Sequence, residues 1–152
     1  KKYPDITFIN TSEIETAARE SDIIDCVTLA TEPFIKGAWL KKGTLVMNMS
    51  DYECDYECVK RADKVVVDFW ENIKHRMIST VALMWNDGLF KDEGIHAELG
   101  EILSGNKKPR ENDDEIIYFN AVGAGILDIA VAARCYNSAK ESGKGLNVPY
   151  WE

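Results

Sequence analysis

The sequence predicts an α/β fold built on a parallel sheet with helices packed against it. Three continuous apolar runs, Ile24–Leu29, Leu45–Met49 and Val65–Phe69, have the length and composition of strands that are buried on both faces. Segments with helical periodicity separate these runs, which is the order that parallel strands require. A chain of 152 residues, 45% hydrophobic and 29% charged, is long enough to bury such a core.

The chain before the first apolar run predicts one strand and one helix. Asp5–Ile9 (DITFI) has the composition of a short strand. Thr11 or Ser12 is placed to cap the helix that follows, and Glu15 is spaced to complete a capping box. Between the second and third apolar runs, residues 54–62 predict one or two helical turns.

The segment after the third apolar run has a longer helical pattern. Residues 71–89 are amphipathic and carry one apolar stripe, formed by Ile73, Met77, Val81 and Met84. His96–Leu103 predicts a short helix that Gly105 closes. The charged stretch NKKPRENDDE that follows is typical of a surface loop.

The stretch EIIYFNAVGAGILDIAVAARCY, residues 115–136, begins like a dinucleotide-binding turn. It predicts a strand over Ile116–Asn120 and a helix from Val122 to about Ser142. A phosphate-binding turn needs a third glycine, but that position is Asp128, whose carboxylate would oppose a pyrophosphate. We therefore predict that these glycines do not bind phosphate.

Charge and hydropathy exclude two classes of partner. The net charge of -8 and the pI near 4.8 would repel a nucleic-acid backbone, and no basic stripe offsets them. No apolar run approaches the ~18–20 residues that span a bilayer, and no signal-peptide pattern is present. We predict neither a nucleic-acid partner nor a membrane partner.

The four cysteines predict a reduced chain without a metal site. Cys54 and Cys58 are spaced C-x3-C, but no second pair of ligands completes a zinc site. Cys26 and Cys135 lie in apolar runs and are interpreted as small core residues. This use of cysteine favours a cytoplasmic location.

Two long stretches resemble the ornithine cyclodeaminase/mu-crystallin family. The family's C-terminal signature is similar to AELGEILSGNKKPRENDDEIIYFNAVGAGILDIAVAARCY. Its run from the fourth to the sixth strand of the Rossmann domain is similar to SDIIDCVTLATEPFIKGAWLKKGTLVMNMSDYECDYECVKRADKVVVD. The resemblance implies a partial Rossmann-type parallel sheet with flanking helices and C-terminal helices.

The resemblance also implies a domain organisation. Family members are longer, and their glycine-rich turn and ribose-binding acid would lie before Lys1. Residues 1–90 would be the second half of a Rossmann-type nucleotide-binding domain. Residues 91–152 would be a helix-strand-helix segment that completes this domain and packs on an absent N-terminal substrate and dimerisation domain. We expect the 152-residue chain alone to be inactive.

Asp51 is the candidate catalytic residue. It follows the strand Leu45–Met49, and ligands of open α/β sheets bind at the carboxyl ends of strands. It matches the family aspartate proposed to act as acid/base, which suits a reaction in which an amine nitrogen loses its proton as hydride leaves. Alternatively, Asp51 caps the helix that starts near Cys54.

The resemblance implies cofactor and substrate contacts as well. The candidate cofactor-binding residues are Thr31, Asn48, Met49, Ser50, Asn120 and Ala121. Val122 and Gly123 match positions that contact substrate through the backbone, although tight packing is an alternative role for them. Thr31 could likewise just satisfy a loop amide. Met49 and Ser50 replace two family glycines, and Asp55 replaces a lysine that supports the cofactor.

The implied function is that of an NAD(P)-dependent oxidoreductase acting on a small amino or imino acid. Cyclodeamination and simple dehydrogenation or reduction both remain open, and Asp51 favours the cyclodeaminase-like branch. The alternative is a mu-crystallin-like protein that binds a small ligand without turnover. The resemblance implies NAD(H) or NADP(H) as cofactor and a homodimer as the full-length form.

Overall fold

The computed structural model describes residues 3–149 and confirms the α/β fold. The five strands are β1 (Ile23–Cys26), β2 (Leu45–Asn48), β3 (Lys64–Val67), β4 (Ile95–Glu98) and β5 (Ile117–Asn120). The six helices are α1 (Ile14–Glu20), α2 (Tyr56–Lys60), α3 (Trp70–Arg76), α4 (Thr80–Asn86), α5 (Leu99–Leu103) and α6 (Gly125–Glu141). All strand pairs are parallel, in the order β1-β2-β5-β3-β4.

The chain forms two compact units, Lys1–Val122 and Gly123–Glu152. The first unit contains the whole sheet and the helices α1–α5, and the second contains α6. The division expected between residues 90 and 91 falls between α4 and β4, inside the first unit. Because β5 lies at the centre of the sheet, between β2 and β3, the later strands complete the layer that the earlier ones begin.

One face of the sheet is covered by helices and carries the core. Cross-strand register aligns Ile24, Val46, Tyr118 and Val65, and each is at most 7% exposed. Side chains of α2, α3 and α4 pack over this row in the same hydrophobic cluster. The opposite face is more open: an apolar groove of about 310 Å³ lies between the strands β2, β3 and β5 and the helix α5.

The predicted strand Asp5–Ile9 is wrong. This segment has no regular structure, and its apolar side chains Ile6, Phe8 and Ile9 are 53%, 76% and 83% exposed. A strand exists only when a neighbour supplies ladder hydrogen bonds, and within residues 3–149 no strand pairs with this segment.

The capping box predicted for the first helix is also wrong. The N-cap of α1 is Glu13, which makes no side-chain capping bond. Thr11 instead accepts from the Glu13 backbone N–H at 3.0 Å, and Glu15 pairs with Arg19 at 2.8 Å on the helix surface. The hydroxyl and the carboxylate therefore find local partners other than those of a capping box.

The amphipathic segment 71–89 is two helices rather than one. Met77 ends α3 with φ +52, a left-handed conformation, and Ser79 begins α4. The apolar stripe is confirmed, because Ile73, Val81 and Met84 are at most 1% exposed. The periodicity continues across the break because both helices pack on the same core.

The prediction for His96–Leu103 is wrong in its first half. Residues 95–98 form β4, which pairs with β3, and α5 begins only at Leu99. Glu98 and Glu101 form a capping box at this junction, so that the strand passes directly into the helix. Gly105 follows the helix with φ +77, as expected of a glycine that closes a helix.

The last helix, α6, begins at Gly125 rather than Val122 and ends where the sequence predicts. Gly143 adopts φ +64 just beyond its C-cap Ser142. No residue of α6 is buried, so the interpretation of Cys135 as a core residue is wrong, whereas Cys26, at 3% exposed, is confirmed. None of the helices within residues 3–149 is both long and apolar enough to cross a bilayer.

Candidate functional site

The carboxyl ends of four strands meet at one edge of the sheet. Cys26, Asn48, Asn120 and Val67, the last residues of β1, β2, β5 and β3, are aligned by register. The segments that leave these strands therefore start side by side. In an open parallel sheet this edge is where ligands bind.

Asp51 lies at this edge and is half-buried. Its Oδ1 accepts from the Ser50 hydroxyl at 3.1 Å. Its carbonyl oxygen accepts from Nδ2 of Asn48 and from the backbone N–H of Glu53, each at 3.0 Å. The carbonyl of Asp51 is thus held by two donors, while its carboxylate contacts Ser50 in the segment that follows β2.

Asp51 does not cap α2, so the alternative role given to it is wrong. The N-cap is Asp55, whose Oδ1 accepts from the Cys58 backbone N–H at 3.2 Å. The same oxygen accepts from the Gly37 backbone N–H at 2.8 Å. Asp55 therefore has a structural role in this chain.

The side chains of Asn48 and Asn120 are fully buried and hydrogen-bonded within the protein. Oδ1 of Asn48 accepts from the Tyr118 hydroxyl at 2.6 Å. Nδ2 of Asn120 donates to the Asn48 carbonyl at 2.5 Å, and its Oδ1 accepts from the Ser79 hydroxyl at 2.7 Å. Burial raises the pKa of Tyr118 well above its ordinary value, so the phenol stays a neutral donor. These two asparagines hold strand ends together.

The other candidate cofactor residues are closer to the surface. Thr31 is exposed in the loop after β1, and Met49 and Ser50 are half-buried after β2. The backbone N–H of Met49 donates to the Cys26 carbonyl at 2.9 Å. Ala121 is 8% exposed and donates its backbone N–H to the Asn48 carbonyl at 3.2 Å.

The backbone of Val122 is engaged by two side chains that sequence reasoning missed. Its N–H donates to Oδ2 of Asp68 at 3.0 Å, and its carbonyl accepts from Nη1 of Arg76 at 2.5 Å. Gly123 adopts φ +85, so this position requires glycine for its conformation. The carboxylate and the guanidinium therefore fix the chain just before this turn.

A buried carboxylate, Glu53, is the most consequential residue that sequence reasoning missed. It is fully buried two residues after Asp51. One of its oxygens accepts from the Thr28 backbone N–H, and the other accepts from Nδ2 of Asn48 at 2.6 Å. It therefore connects the segments that follow β1 and β2.

Three buried thiols, those of Cys26, Cys54 and Cys58, lie in the hydrophobic core. Hydrogen bonds with the Cys26 and Cys58 thiols, together with burial, raise the pKa of Cys54, so its thiol stays protonated. Within residues 3–149, no group of three or more histidine, cysteine or acidic side chains could hold a metal ion.

The chain belongs to the ornithine cyclodeaminase/mu-crystallin family, whose sequence model matches residues 1–143. This match confirms the resemblance of the sequence motifs. A similar protein is the N-((2S)-2-amino-2-carboxyethyl)-L-glutamate dehydrogenase of Staphylococcus aureus, 36% identical over 145 residues. That alignment covers 95% of this chain and 43% of the relative.

Two solved structures share the fold of this chain. One is the Delta(1)-pyrroline-2-carboxylate reductase of Thermococcus litoralis in complex with NADH and L-proline. It has a TM-score of 0.81 at 37% identity, and the match covers 88% of this chain and 42% of that one. The other is an archaeal alanine dehydrogenase dimer with bound NAD, with a TM-score of 0.81 at 32% identity and coverage of 90% and 43%. The chain thus spans less than half the length of the relatives it matches.

Proposed function

We propose that the intact gene product is an NAD(P)-dependent oxidoreductase of small amino or imino acids. The intact gene product means the polypeptide that contains these residues together with any others that the gene encodes. The observation that carries the proposal is the position of Asp51, half-buried in the segment that follows β2, whose last residue pairs with the last residue of β5 at the carboxyl edge of the sheet. Family membership and the NADH or NAD in the two similar solved structures support it.

The chemistry of the sheet edge fits the nicotinamide end of a dinucleotide. Residues 120–121 are buried, and the Asn120 carbonyl and the Ala121 N–H already have partners in Asp68 and Asn48. The exposed Thr31 hydroxyl and the half-buried segment 49–50 present uncharged groups at this edge. Such groups suit an uncharged carboxamide and a ring that alternates between neutral and cationic forms. NAD(H) or NADP(H) would supply or accept the hydride when bound there.

Asp51 would move the proton that accompanies hydride transfer. In the direction of reduction, a protonated Asp51 donates its proton to the imine nitrogen as the imine carbon becomes an amine carbon. In the direction of oxidation, the carboxylate accepts that proton. Val122 and Gly123 are the candidate substrate contacts. Because Asp68 and Arg76 already bind the N–H and the carbonyl of Val122, Val122 would contact the substrate by packing rather than by hydrogen bonds.

Within this class we propose reduction or dehydrogenation rather than cyclodeamination. Asp51 alone favours the cyclodeaminase branch, but the relative that covers 95% of this chain is a dehydrogenase. The chemistry of the site is therefore compatible with one hydride transfer and one proton transfer.

Oxidation of NADH by the purified intact gene product tests this function. Cyclic and acyclic imino acids are the substrates offered, and absorbance of the reduced nicotinamide is followed. We expect turnover that requires both the imino acid and the cofactor. Stabilisation by the ligand without turnover would overturn the proposed enzymatic function and favour a small-ligand binding protein. Release of ammonia from a diamino acid would favour cyclodeamination.

We propose a cytoplasmic homodimer as the working form. The similar archaeal alanine dehydrogenase was solved as a dimer, and the cysteines of this chain, Cys26, Cys54, Cys58 and Cys135, are all free thiols. We also propose that residues 1–90 and 91–152 both contribute to one nucleotide-binding domain, because their strands alternate in a single sheet. Residues 91–152 would in addition pack on a substrate and dimerisation domain.

A further inference from the structure

Glu53 bridges two neighbouring strand ends through its side chain. Its Oε1 accepts from the backbone N–H of Thr28, which follows β1, and its Oε2 accepts from Nδ2 of Asn48, which ends β2. The residue has no exposed surface. A carboxylate is costly to bury unless donors satisfy it, and here each oxygen has a donor in place.

The main chain of Glu53 holds the other end of the same loop. Its carbonyl oxygen accepts from the backbone N–H groups of Phe34 and Ile35, each at 3.0 Å. Both ends of the loop 28–35 are therefore bound to one residue. Thr31, the exposed candidate for cofactor contact, lies near the middle of this loop.

We propose that Glu53 is a positioning residue of the dinucleotide site. It fixes the position of the loop 28–35 relative to the segment 49–51 before the cofactor binds. The proposal rests on the function proposed above and concerns the same edge of the sheet. Glu53 is buried, so it acts through Thr28 and Asn48 rather than on the ligand. A loop that is already ordered loses less conformational freedom on binding, which strengthens affinity.

Glu53→Gln tests the proposal most directly, because it keeps the shape of the side chain and replaces one of its two acceptor oxygens by an NH2 group. A glutamine has one acceptor oxygen and one NH2 group, so its NH2 group must face either the Thr28 N–H or Nδ2 of Asn48. We expect the Kd for NADH of the intact gene product to rise at least about tenfold. Measurements well below the Tm of the variant separate this loss from unfolding.

Glu57→Gln is the matched control. Glu57 is an exposed acid on α2, four residues away, and its contact with Lys60 is long, at 4.0 Å. We expect its Kd for NADH to equal that of the wild type. The proposal is overturned if Glu53→Gln folds and binds NADH as tightly as the wild type.

Amide hydrogen exchange tests the preset loop without any variant. In the protein without cofactor, the Thr28 amide should exchange slowly, because it donates to a buried carboxylate. Adding NADH should change its rate by less than about threefold. A Thr28 amide that becomes protected only when NADH is present would overturn the proposal, even if Glu53→Gln does not fold.

The same measurement separates this proposal from the function on which it rests. In Glu53→Gln, protection should be kept at Phe34 and Ile35, since these two amides donate to the main chain, and lost at Thr28 where the glutamine NH2 group faces that amide rather than Asn48. This pattern is independent of NADH. If the Thr28 amide of the wild type is protected from exchange but the protein does not bind NADH, the proposed function and the cofactor role are overturned. If the protein binds NADH but its Thr28 amide is unprotected, only the Glu53 proposal is overturned.

Discussion

Asp51 and Asp55 lie four residues apart on the same segment, yet their environments differ. Asp55 accepts two backbone N–H groups through one oxygen and fixes α2 against the turn at Gly37. The carboxylate of Asp51 accepts from the Ser50 hydroxyl at the edge of the sheet. Asp55 therefore stabilises the local fold, and Asp51 is the aspartate that we propose for proton transfer.

We expect Asp51→Asn to keep the fold of the intact gene product and to lower its turnover by about 10²–10⁴-fold, the range for a lost acid/base. An asparagine preserves the size of the side chain but cannot carry the proton. Steady-state kinetics of NADH oxidation measure the loss, and circular dichroism verifies the fold. Glu57→Gln serves as a control that should retain wild-type turnover. Unchanged turnover in Asp51→Asn would leave Asp51 as a turn residue.

The sequence predicts the place of Asp51 but not the role of Glu53. Asp51 follows an apolar run, so its position at a strand end can be inferred from the pattern alone. Glu53 looks like any surface acid, since the donors that satisfy it, Thr28 and Asn48, are distant in sequence or belong to the preceding strand. Its burial is a tertiary property that no local pattern reports.

At the scale of elements, strands that coincide with a continuous apolar run are predictable from the sequence, whereas β4 is not and the segment Asp5–Ile9 is a false prediction. The apolar runs of β1, β2, β3 and β5 predict buried strands, and each is a strand in the structure. The segment Asp5–Ile9 has the same composition, but within residues 3–149 nothing pairs with it. The sequence predicts helix over β4, because a four-residue strand that leads directly into a capped helix shows little alternation.

The contact between Gly37 and α2 predicts a sharp difference between two glycine substitutions. A Cβ on Gly37 would lie 2.3 Å from the backbone carbon of Glu57 and 2.6 Å from the nitrogen of Cys58. We expect Gly37→Ala to lower the free energy of unfolding by about 2 kcal/mol or more, because backbone cannot yield as a side chain can. Urea denaturation measures the change.

Gly100→Ala is the control for this prediction. Gly100 lies in α5, and within the described part of the chain no heavy atom other than those of its own helix and chain neighbours lies within 4 Å of a Cβ placed there. Alanine in a helix is favoured over glycine, so the variant should be neutral or up to about 1 kcal/mol more stable. Equal urea midpoints for the two variants would contradict the close approach at Gly37.

The loop 106–115 is held to β3 by charges, and this predicts a dependence of stability on pH. Lys64, whose side chain is 7% exposed, pairs with Glu115 at 3.2 Å. The backbone N–H of Glu111, and then Lys64, lower the pKa of Glu115 below its ordinary value of 4.5, against the opposing effect of burial. A lowered pKa in the folded state stabilises the protein above about pH 4.5, and that stabilisation is lost as the pH falls.

We therefore expect Glu115→Gln to lower the Tm near about pH 7, and this difference to shrink as the pH falls below about 4.5 and the wild-type carboxyl becomes protonated as well. Thermal unfolding of both proteins across this range measures the difference. Asp114→Asn provides the control, since Asp114 and its partner Lys42 are 69% and 78% exposed and such pairs contribute little. A Tm difference that persists unchanged in acid would contradict the role of the Glu115 charge.

At the scale of the whole molecule, apolar surface is exposed in both compact units. In the second unit, α6 exposes Ile126, Leu127, Ile129 and Val131, each at least 56%. In the first, Ile23 on the edge strand β1 is 60% exposed, and Val27 and Leu29, which follow it, are 68% and 84% exposed. Surfaces of this kind mark contacts with other polypeptide segments, and they favour self-association when such segments are missing.

The 152-residue chain on its own should bind NADH weakly, with a Kd above about 100 µM. The sequence between Lys1 and Glu152 contains no G-x-G-x-x-G turn, the element whose backbone N–H groups hold a pyrophosphate. The contacts proposed at Thr31, Met49–Ser50 and Asn120–Ala121 concern the nicotinamide end alone. Each 1.4 kcal/mol of missing phosphate interaction weakens binding about tenfold. Calorimetric titration with NADH measures the affinity, and sedimentation in the same buffer gives the oligomeric state. Micromolar binding by a monomer would show that residues other than a glycine-rich turn bind the phosphates in this chain.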